Sequence, residues 1–280
     1  MKKINLLPNM ITAFGLACGL FVIFKINMVE TTDSYYEVLK TSAFLLLVAA
    51  FADFIDGAVA RALHAETEFG VMFDSMADSI SFGLAPSVLM LKSLSLEQGT
   101  WISFVAITGA MIFSLCGVLR LVRFNIKAAE AKGNFLQMIE QKKHFTGLPI
   151  PAAAAAAVAA NLLFFAPFLT ILQEVADITR ALILTGVMIV LGYLMVSHWK
   201  FPSLKGLHFR IPSFYLAFFT VLLAICILYG ILHYFPLLLA VASWGYVLVG
   251  LSFAIIRLIA GKKSKTLEDF EPEDDESDYE

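Results

Sequence analysis

Residues Asp53 to Asp78 read DFIDGAVARALHAETEFGVMFDSMAD, two apolar runs separated by a short polar turn. Asp53 and Asp56 are three positions apart, so on a helix their side chains share one face. Asp74 and Asp78 are four positions apart and share a face for the same reason. The stretch therefore predicts a helical hairpin that carries two carboxylates on each arm, with the two pairs facing each other.

Such a cluster is costly in an apolar chain. One aspartate at the centre of a membrane helix costs roughly 2.5–3.5 kcal/mol on insertion scales, and like charges in a small space repel one another. A divalent cation is the simplest counter-charge, and ligation by carboxylate oxygens alone suits Mg2+, Mn2+ or Ca2+ better than zinc. An ion-paired hairpin without chemistry would set these acids against Arg61 alone and leave excess negative charge. We therefore predict a divalent-metal site.

The same stretch resembles, in residue type and spacing, the signature of the CDP-alcohol phosphatidyltransferases. The matching positions are Asp53, Asp56, Gly57, Ala60, Arg61, Gly70, Asp74 and Asp78. The resemblance implies an enzyme that transfers the phosphatidyl group of CDP-diacylglycerol to an alcohol and releases CMP, with Mg2+ or Mn2+ as cofactor.

The resemblance also implies a role for each position. It makes Asp53, Asp56 and Asp74 metal ligands. It makes Asp78 the base that takes the proton of the acceptor hydroxyl, and a further contact to a metal ion. The implied nucleotide-binding residues are Asn9, Thr12, Gly57, Ala60, Arg61 and Gly70. Asn9 and Thr12 lie on the first predicted helix. For the two residues of the first helix, capping and backbone hydrogen bonding is the alternative interpretation.

Residues outside this motif indicate the acceptor alcohol. The stretches RLVRFN at 120–125, GLPIPA at 147–152 and VSHWKFPS at 196–203 are together similar to membrane-embedded phosphatidylserine synthases. L-Serine carries a carboxylate, which Arg120 or Arg123 can bind through two hydrogen bonds, and Asn125 is a further acceptor-binding candidate. Anchoring at the membrane surface also explains the arginines, and glycerol 3-phosphate or inositol stays an alternative acceptor.

The composition indicates a membrane protein. Of its 280 residues 59% are hydrophobic and 15% charged, whereas a soluble domain has about 25% charged residues. We expect an all-α polytopic protein, a single bundle of about eight transmembrane helices. Apolar runs place the helices at residues 6–26, 39–61, 69–92, 101–122, from 147 onward, 181–196, 214–232 and 236–259. We expect the fourth to end at RLVRFN, and Pro86 to kink the third.

The basic residues predict the orientation. An even number of helices puts both termini on one side, and all lysines and arginines lie on that side except Lys25, Lys40, Lys92 and Arg180. Because basic loops stay in the cytoplasm, we predict a protein of the cell's inner or plasma membrane. Both termini and the active site then lie on the cytoplasmic face.

The two ends of the chain differ in character. We predict a transmembrane catalytic domain at residues 1–263 and a disordered cytoplasmic tail at 264–280, because the segment from Glu268 has nine acidic and no basic residues. The expected partners are CDP-diacylglycerol, L-serine and membrane lipid, without nucleic acid. Small residues on the predicted helices permit a homodimer.

A divalent-cation transporter is the alternative from another functional class, because transporters also use intramembrane aspartates. A transporter needs its ligands at mid-membrane on a path open to both sides. Here the acidic pairs lie near the ends of two helices, and the spacing of Gly57, Ala60 and Gly70 would have no purpose. The sequence therefore favours the enzyme.

Overall fold

The computed structural model describes residues 6–28, 35–63, 67–131, 145–169, 172, 174–197, 199–201 and 234–260. The α-helices within them are α1 Leu6–Met28, α2 Tyr35–Ala62, α3 Glu68–Asp78, α4 Ala85–Leu94, α5 Trp101–Ala131, α6 Ile150–Phe164, α7 Asp177–Val196 and α8 Phe235–Ala260. A π-helical segment, Ser79–Leu84, joins α3 to α4. The two-residue strands β1 (Phe145–Thr146) and β2 (Lys200–Phe201) pair antiparallel.

Five of these helices are long and apolar enough to cross a membrane, judged by length and composition: Leu7–Met28, Tyr35–Ala62, Trp101–Ile126, Asp177–Val196 and Phe235–Ile256. The predicted all-helical membrane class is thus confirmed for the described part of the chain. The predicted helix at 214–232 and the tail at 264–280 lie outside the described residues. The number of eight spans stays a prediction.

The predicted end of the fourth helix is wrong. The hydrophobic run stops near Val122, but α5 continues through RLVRFN to Ala131. The additional residues are IKAAEA, and alanine, lysine and glutamate are among the strongest helix formers. The helix therefore extends beyond its apolar part, and Asn125 lies inside a helix rather than at its end.

The third predicted helix is interrupted. The backbone amide of Ala85 donates to the carbonyl of Ile80, five residues earlier, which is the hydrogen bond of a π turn. Pro86 follows in the first turn of α4. Proline has no amide hydrogen and its ring collides with the carbonyl four residues before it in a regular helix. The wider π turn accommodates the proline and begins directly after Asp78.

The core is centred on α6, whose alanine run faces neighbouring helices. Ala153, Ala156 and Ala159 are fully buried, and α6 packs against α2, α4, α7, α8 and the π segment. The indole of Trp244 on α8 donates to the Ala156 carbonyl at 3.1 Å. Small side chains allow this close approach of several backbones, so α6 holds the helices around it in place.

Close backbone contact also joins α1 to its neighbours. A Cβ placed on Gly15 would lie 3.5 Å from the carbonyl oxygen of Ala49 on α2, and one on Gly19 would lie 2.8 Å from the Cα of Ser81 in the π segment. The Ser81 hydroxyl donates to the Gly15 carbonyl at 3.4 Å. Glycines on one side of α1 therefore allow its close approach to α2, which carries the first acidic pair, and to the π segment, which follows the second.

The strand pair holds the segment before α6 against the end of α7. Gly147 follows β1 with φ +85°, a conformation that other residues rarely adopt. Its amide donates to the Trp199 carbonyl at 2.8 Å, and a Cβ here would lie 3.0 Å from Nη2 of Arg123. The glycine of GLPIPA is thus required by the backbone and by the arginine beside it.

Gly19→Ala is expected to destabilise the protein, because the new methyl group would overlap the backbone at Ser81. Overpacking of this kind costs about 1–3 kcal/mol. Gly186→Ala on α7 is the matched control, since a Cβ there meets nothing within 4 Å. The midpoint of thermal unfolding in detergent should fall for the first variant only. Equal midpoints for both variants would contradict the described packing of α1.

Candidate active site

The acidic pairs of α2 and α3 meet. One carboxylate oxygen from each of Asp53, Asp56 and Asp74 lies within 4.8 Å of the other two. In an octahedral site with oxygens about 2.1 Å from Mg2+, neighbouring and opposite ligands lie about 2.9–4.2 Å apart. The three carboxylates are therefore close to the arrangement that one hard divalent ion requires.

Asp78 stands beside this group but is not part of it. It is the last residue of α3 and lines the same open cavity of about 210 Å³ as the other three aspartates. Its carboxylate interacts electrostatically with theirs and with the guanidinium of Arg120. The structure thus brings all four predicted aspartates to one cavity, three of them within ligand spacing of one another.

Several polar groups in and beside the site are buried without a partner. Oδ1 of Asp74 and Nε of Arg120 have no hydrogen-bond partner within the described residues. Oxygens of Asp53 and Asp74 lie within 4.8 Å of each other, and two charged carboxylates at this distance repel unless a proton or a cation lies between them. A donor set of close carboxylates with an unsatisfied oxygen fits a hard divalent metal ion.

The first turns of α1 approach both arms of the hairpin. The Thr12 hydroxyl donates to Oδ2 of Asp56 at 2.5 Å. Oδ1 of Asn9 lies 3.2 Å from the position of a Cβ on Gly70, whose amide donates to the Thr67 hydroxyl that caps α3. Thr67 directly precedes an amphipathic run, which is a sequence signal for a helix start. Thr12 therefore lies at the acidic site, and Asn9 lies against the first turn of α3.

The other nucleotide-binding candidates lie on α2 beyond Asp56. Gly57 and Ala60 are half-buried and Arg61 is exposed. The Arg61 guanidinium folds back along the helix, and its Nη1 lies 3.4 Å from a Cβ position on Gly57. The atoms nearest to a Cβ position on Gly57 all belong to Arg61, so the glycine is flanked by a flexible side chain.

The three acceptor-binding candidates on α5 point to different neighbours. Arg120 lies within electrostatic range of Asp78 and of Tyr246 on α8. Arg123 donates through Nη1 to the Val196 carbonyl at 2.6 Å, at the C-terminus of α7. Nδ2 of Asn125 donates to the Ser75 hydroxyl at 2.8 Å. Arg120 and Asn125 thus face the acidic arm α3, while Arg123 holds the end of α7.

Two residues near the site were not predicted from sequence. Ser75 follows Asp74 and binds Asn125, and Tyr246 lies beside Arg120 although it is 126 positions later in the chain. A serine beside a motif aspartate is only a weak sequence signal for a site residue. A tyrosine in an apolar run gives no such signal. Their partners are set by how α3, α5 and α8 pack.

Comparison with known proteins supports the motif. The family model for CDP-alcohol phosphatidyltransferase matches residues 5–192. A CDP-diacylglycerol–serine O-phosphatidyltransferase of Bacillus subtilis is 32% identical over 72% of this chain and 92% of its own length. Proteins of the same name from Helicobacter pylori and Methanocaldococcus jannaschii are 28% and 30% identical, over 86% and 75% of this chain and 96% and 84% of their own.

The family match spans well over half of the chain and includes α1 to α5, which carry every site residue discussed above except Tyr246. Families of this type depend on divalent metal, and the clustered carboxylates agree with that. The chain belongs to the CDP-alcohol phosphatidyltransferase family and is a membrane enzyme of phospholipid biosynthesis.

Proposed function

We propose that this enzyme transfers the phosphatidyl group of CDP-diacylglycerol to the hydroxyl of L-serine, giving phosphatidylserine and CMP. The observation that carries the proposal is the group of Asp53, Asp56 and Asp74 oxygens within 4.8 Å, beside Asp78 and Arg120. The names of the relatives described above support serine as acceptor.

Asp53, Asp56 and Asp74 would hold Mg2+ or Mn2+, with Asp78 as the fourth carboxylate of the site. The bound metal would supply positive charge against the diphosphate and against the charge that develops on the leaving oxygen. Without that charge, the four carboxylates would repel an anionic substrate. The nucleotide would lie along Asn9, Gly57, Ala60, Arg61 and Gly70, with Thr12 beside it on Asp56.

Asp78 is the proposed general base. The serine hydroxyl oxygen forms a bond to the phosphatidyl phosphorus, the bond from that phosphorus to the CMP oxygen breaks, and the hydroxyl proton passes to Asp78. Asp78 fits this role because it lines the cavity outside the three closest ligands. Its carboxylate interacts electrostatically with the three proposed metal ligands and with Arg120, which supports this role.

The side of the site proposed to bind serine has a buried hydrogen-bond donor and a buried hydrogen-bond acceptor. Nε of Arg120 is a buried donor without a partner among the described residues, and it suits the serine carboxylate. The Ser75 hydroxyl donates to the Val71 carbonyl at 3.0 Å, so it accepts from Nδ2 of Asn125. Oδ1 of Asn125 then stays a buried acceptor, which suits the serine ammonium.

This pair of groups favours an amino acid over glycerol 3-phosphate or inositol, neither of which has an ammonium. Arg123 belongs to the same acceptor side, but its guanidinium already donates to carbonyls at the end of α7. We therefore give Arg123 the role of fixing α5 against α7, and give Arg120 the direct contact with the carboxylate.

The membrane arrangement is also part of the proposal. We propose eight membrane crossings. They would be the five apolar spans, the helical unit from α3 to α4, the short helix α6 and the predicted helix at 214–232. The catalytic domain would cover 1–263, with the tail at 264–280, both termini and the site on the cytoplasmic side of the inner membrane. A homodimer would form through small-residue helix surfaces.

Asp74→Asn is expected to lower CMP release by roughly 100-fold or more, because it removes a charged ligand from the metal site. Excess EDTA should abolish activity and added Mn2+ or Mg2+ should restore it. Glu97→Gln, an exposed acid in the segment between α4 and α5, is the control and should keep full activity. Wild-type turnover by Asp74→Asn would contradict the metal site.

Asp78→Asn is expected to reduce turnover by about 100-fold to 10,000-fold through loss of the base. Equilibrium binding of Mn2+ to the purified variant should weaken far less than in Asp74→Asn, because the three closest carboxylates are intact. Normal turnover by Asp78→Asn would show that a group other than Asp78 takes the proton of the serine hydroxyl.

An acceptor panel tests the choice of serine. Purified enzyme with CDP-diacylglycerol and Mn2+ should release CMP with L-serine, and not with glycerol 3-phosphate or inositol. Arg120→Gln should raise the KM for serine by about tenfold or more, with a smaller change for CDP-diacylglycerol, because a charged hydrogen bond is lost. If CMP were released with glycerol 3-phosphate and not with L-serine, the enzyme class would still hold, but serine would be excluded as the acceptor.

A further inference from the structure

We propose that Thr12 is a positioning residue, which orients the carboxylate of Asp56 for metal binding. The inference rests on the metal site of the proposed function. It differs from the nucleotide contact that the family resemblance implies for Thr12. In the proposed role the hydroxyl acts on the substrate only through Asp56 and the ion.

The hydrogen bond between the two residues is enclosed by protein. Thr12 is 7% exposed and Asp56 is 4% exposed. The Thr12 hydroxyl lies 2.5 Å from Oδ2 of Asp56 and 3.1 Å from the carbonyl of Pro8. It has one proton for these two acceptors, and a charged carboxylate is the stronger acceptor. The proton therefore goes to Asp56.

Other threonines in the helices show what the hydroxyl does without such a partner. The hydroxyls of Thr41 and Thr108 donate to the carbonyl four residues earlier, at 2.7 and 2.8 Å. This bond within the helix is the usual local choice for threonine. At Thr12 the equivalent distance is longer, 3.1 Å. The hydroxyl of Thr12 thus has its shorter contact across to α2, and the contact within its own helix is the longer one.

The packing of α1 explains why Thr12 reaches the site. Gly15 lies one turn after Thr12 on the same face of α1, in contact distance of the Ala49 carbonyl and the Ala52 side chain of α2. A Cβ here would already lie at van der Waals distance from both groups, so a side chain longer than alanine would push the two helices apart. The glycine contact therefore sets the short distance that the small threonine side chain spans.

A hydrogen bond on Oδ2 has a direct effect on metal binding. It would fix the rotation of the carboxylate, so that Asp56 would present an oxygen to the ion in one orientation. Hydrogen bonds to metal-binding groups typically change metal affinity by about 10-fold to 100-fold. Since the proton of Thr12 is used on Asp56, the hydroxyl has no proton to donate to a nucleotide.

The test measures Mn2+ binding to the full-length protein, purified in detergent without substrate, by electron paramagnetic resonance of the free ion. Thr12→Val keeps the shape and removes the hydroxyl, and Thr12→Ser keeps the hydroxyl. Thr185→Val is the matched control, because Thr185 is 3% exposed and lies on α7, outside the aspartate cavity. We expect the dissociation constant for Mn2+ to rise about tenfold or more in Thr12→Val only.

Two further measurements separate the possible outcomes. In the background of Asp56→Asn, Thr12→Val should cause no additional loss of Mn2+ binding, because its effect passes through Asp56. The KM for CDP-diacylglycerol at saturating Mn2+ should change little in Thr12→Val. Unchanged Mn2+ binding with a raised KM for CDP-diacylglycerol would overturn the inference in favour of a nucleotide contact.

If Thr12→Val does not fold, Thr12→Ala is measured in the same way, with thermal unfolding as the check on folding. Full Mn2+ affinity in a folded Thr12→Ala variant would equally overturn the inference. Absence of Mn2+ binding to the wild-type protein would instead disprove the proposed metal site itself, and the positioning role with it. The two failures are therefore distinguishable.

Discussion

Repulsion between carboxylates that two helices hold together is the constraint on which this structure depends. Oxygens of Asp53, Asp56 and Asp74 lie within 4.8 Å of one another, and Asp78 lines the same cavity. In an apolar bundle, water cannot screen this repulsion as it does at a surface. Close carboxylates of this kind need protons or cations among them, and in the proposed function a divalent ion would supply that positive charge and support the chemistry.

The surrounding fold keeps the arms of the hairpin in place. Glycines on α1 allow its backbone to approach α2 and the π segment, and the alanine run of α6 gathers the neighbouring helices. The π segment begins directly after Asp78, so the regular α-helix ends at the proposed base and the buried residues Ser81, Phe82 and Gly83 follow it. Rigid packing of this kind holds the carboxylates close despite their repulsion.

Local periodicity explains what could be predicted from sequence. The three- and four-residue spacings placed each aspartate pair on one helix face, and the apolar runs located the described spans. The end of α5 was not predictable from hydrophobicity, because helix formers such as Lys127 continue the helix past its apolar part. The π turn has no signature in an apolar pattern, although Pro86 indicated that the helix is irregular there.

Contacts between distant residues were the least predictable part of the site. Thr12 binds a carboxylate 44 positions away, and Arg123 binds a carbonyl 73 positions away. Neither partner follows from residue type or spacing, because each depends on how whole helices pack. The motif predicted the residues of the site, and the packing determines what each one touches.

The metal site can be tested by anomalous diffraction from crystals grown with Mn2+. We expect a manganese peak between α2 and α3, roughly 2 Å from carboxylate oxygens of Asp53, Asp56 and Asp74. Aspartates that point to separate neighbours or into lipid, with no manganese between them, would contradict the metal site.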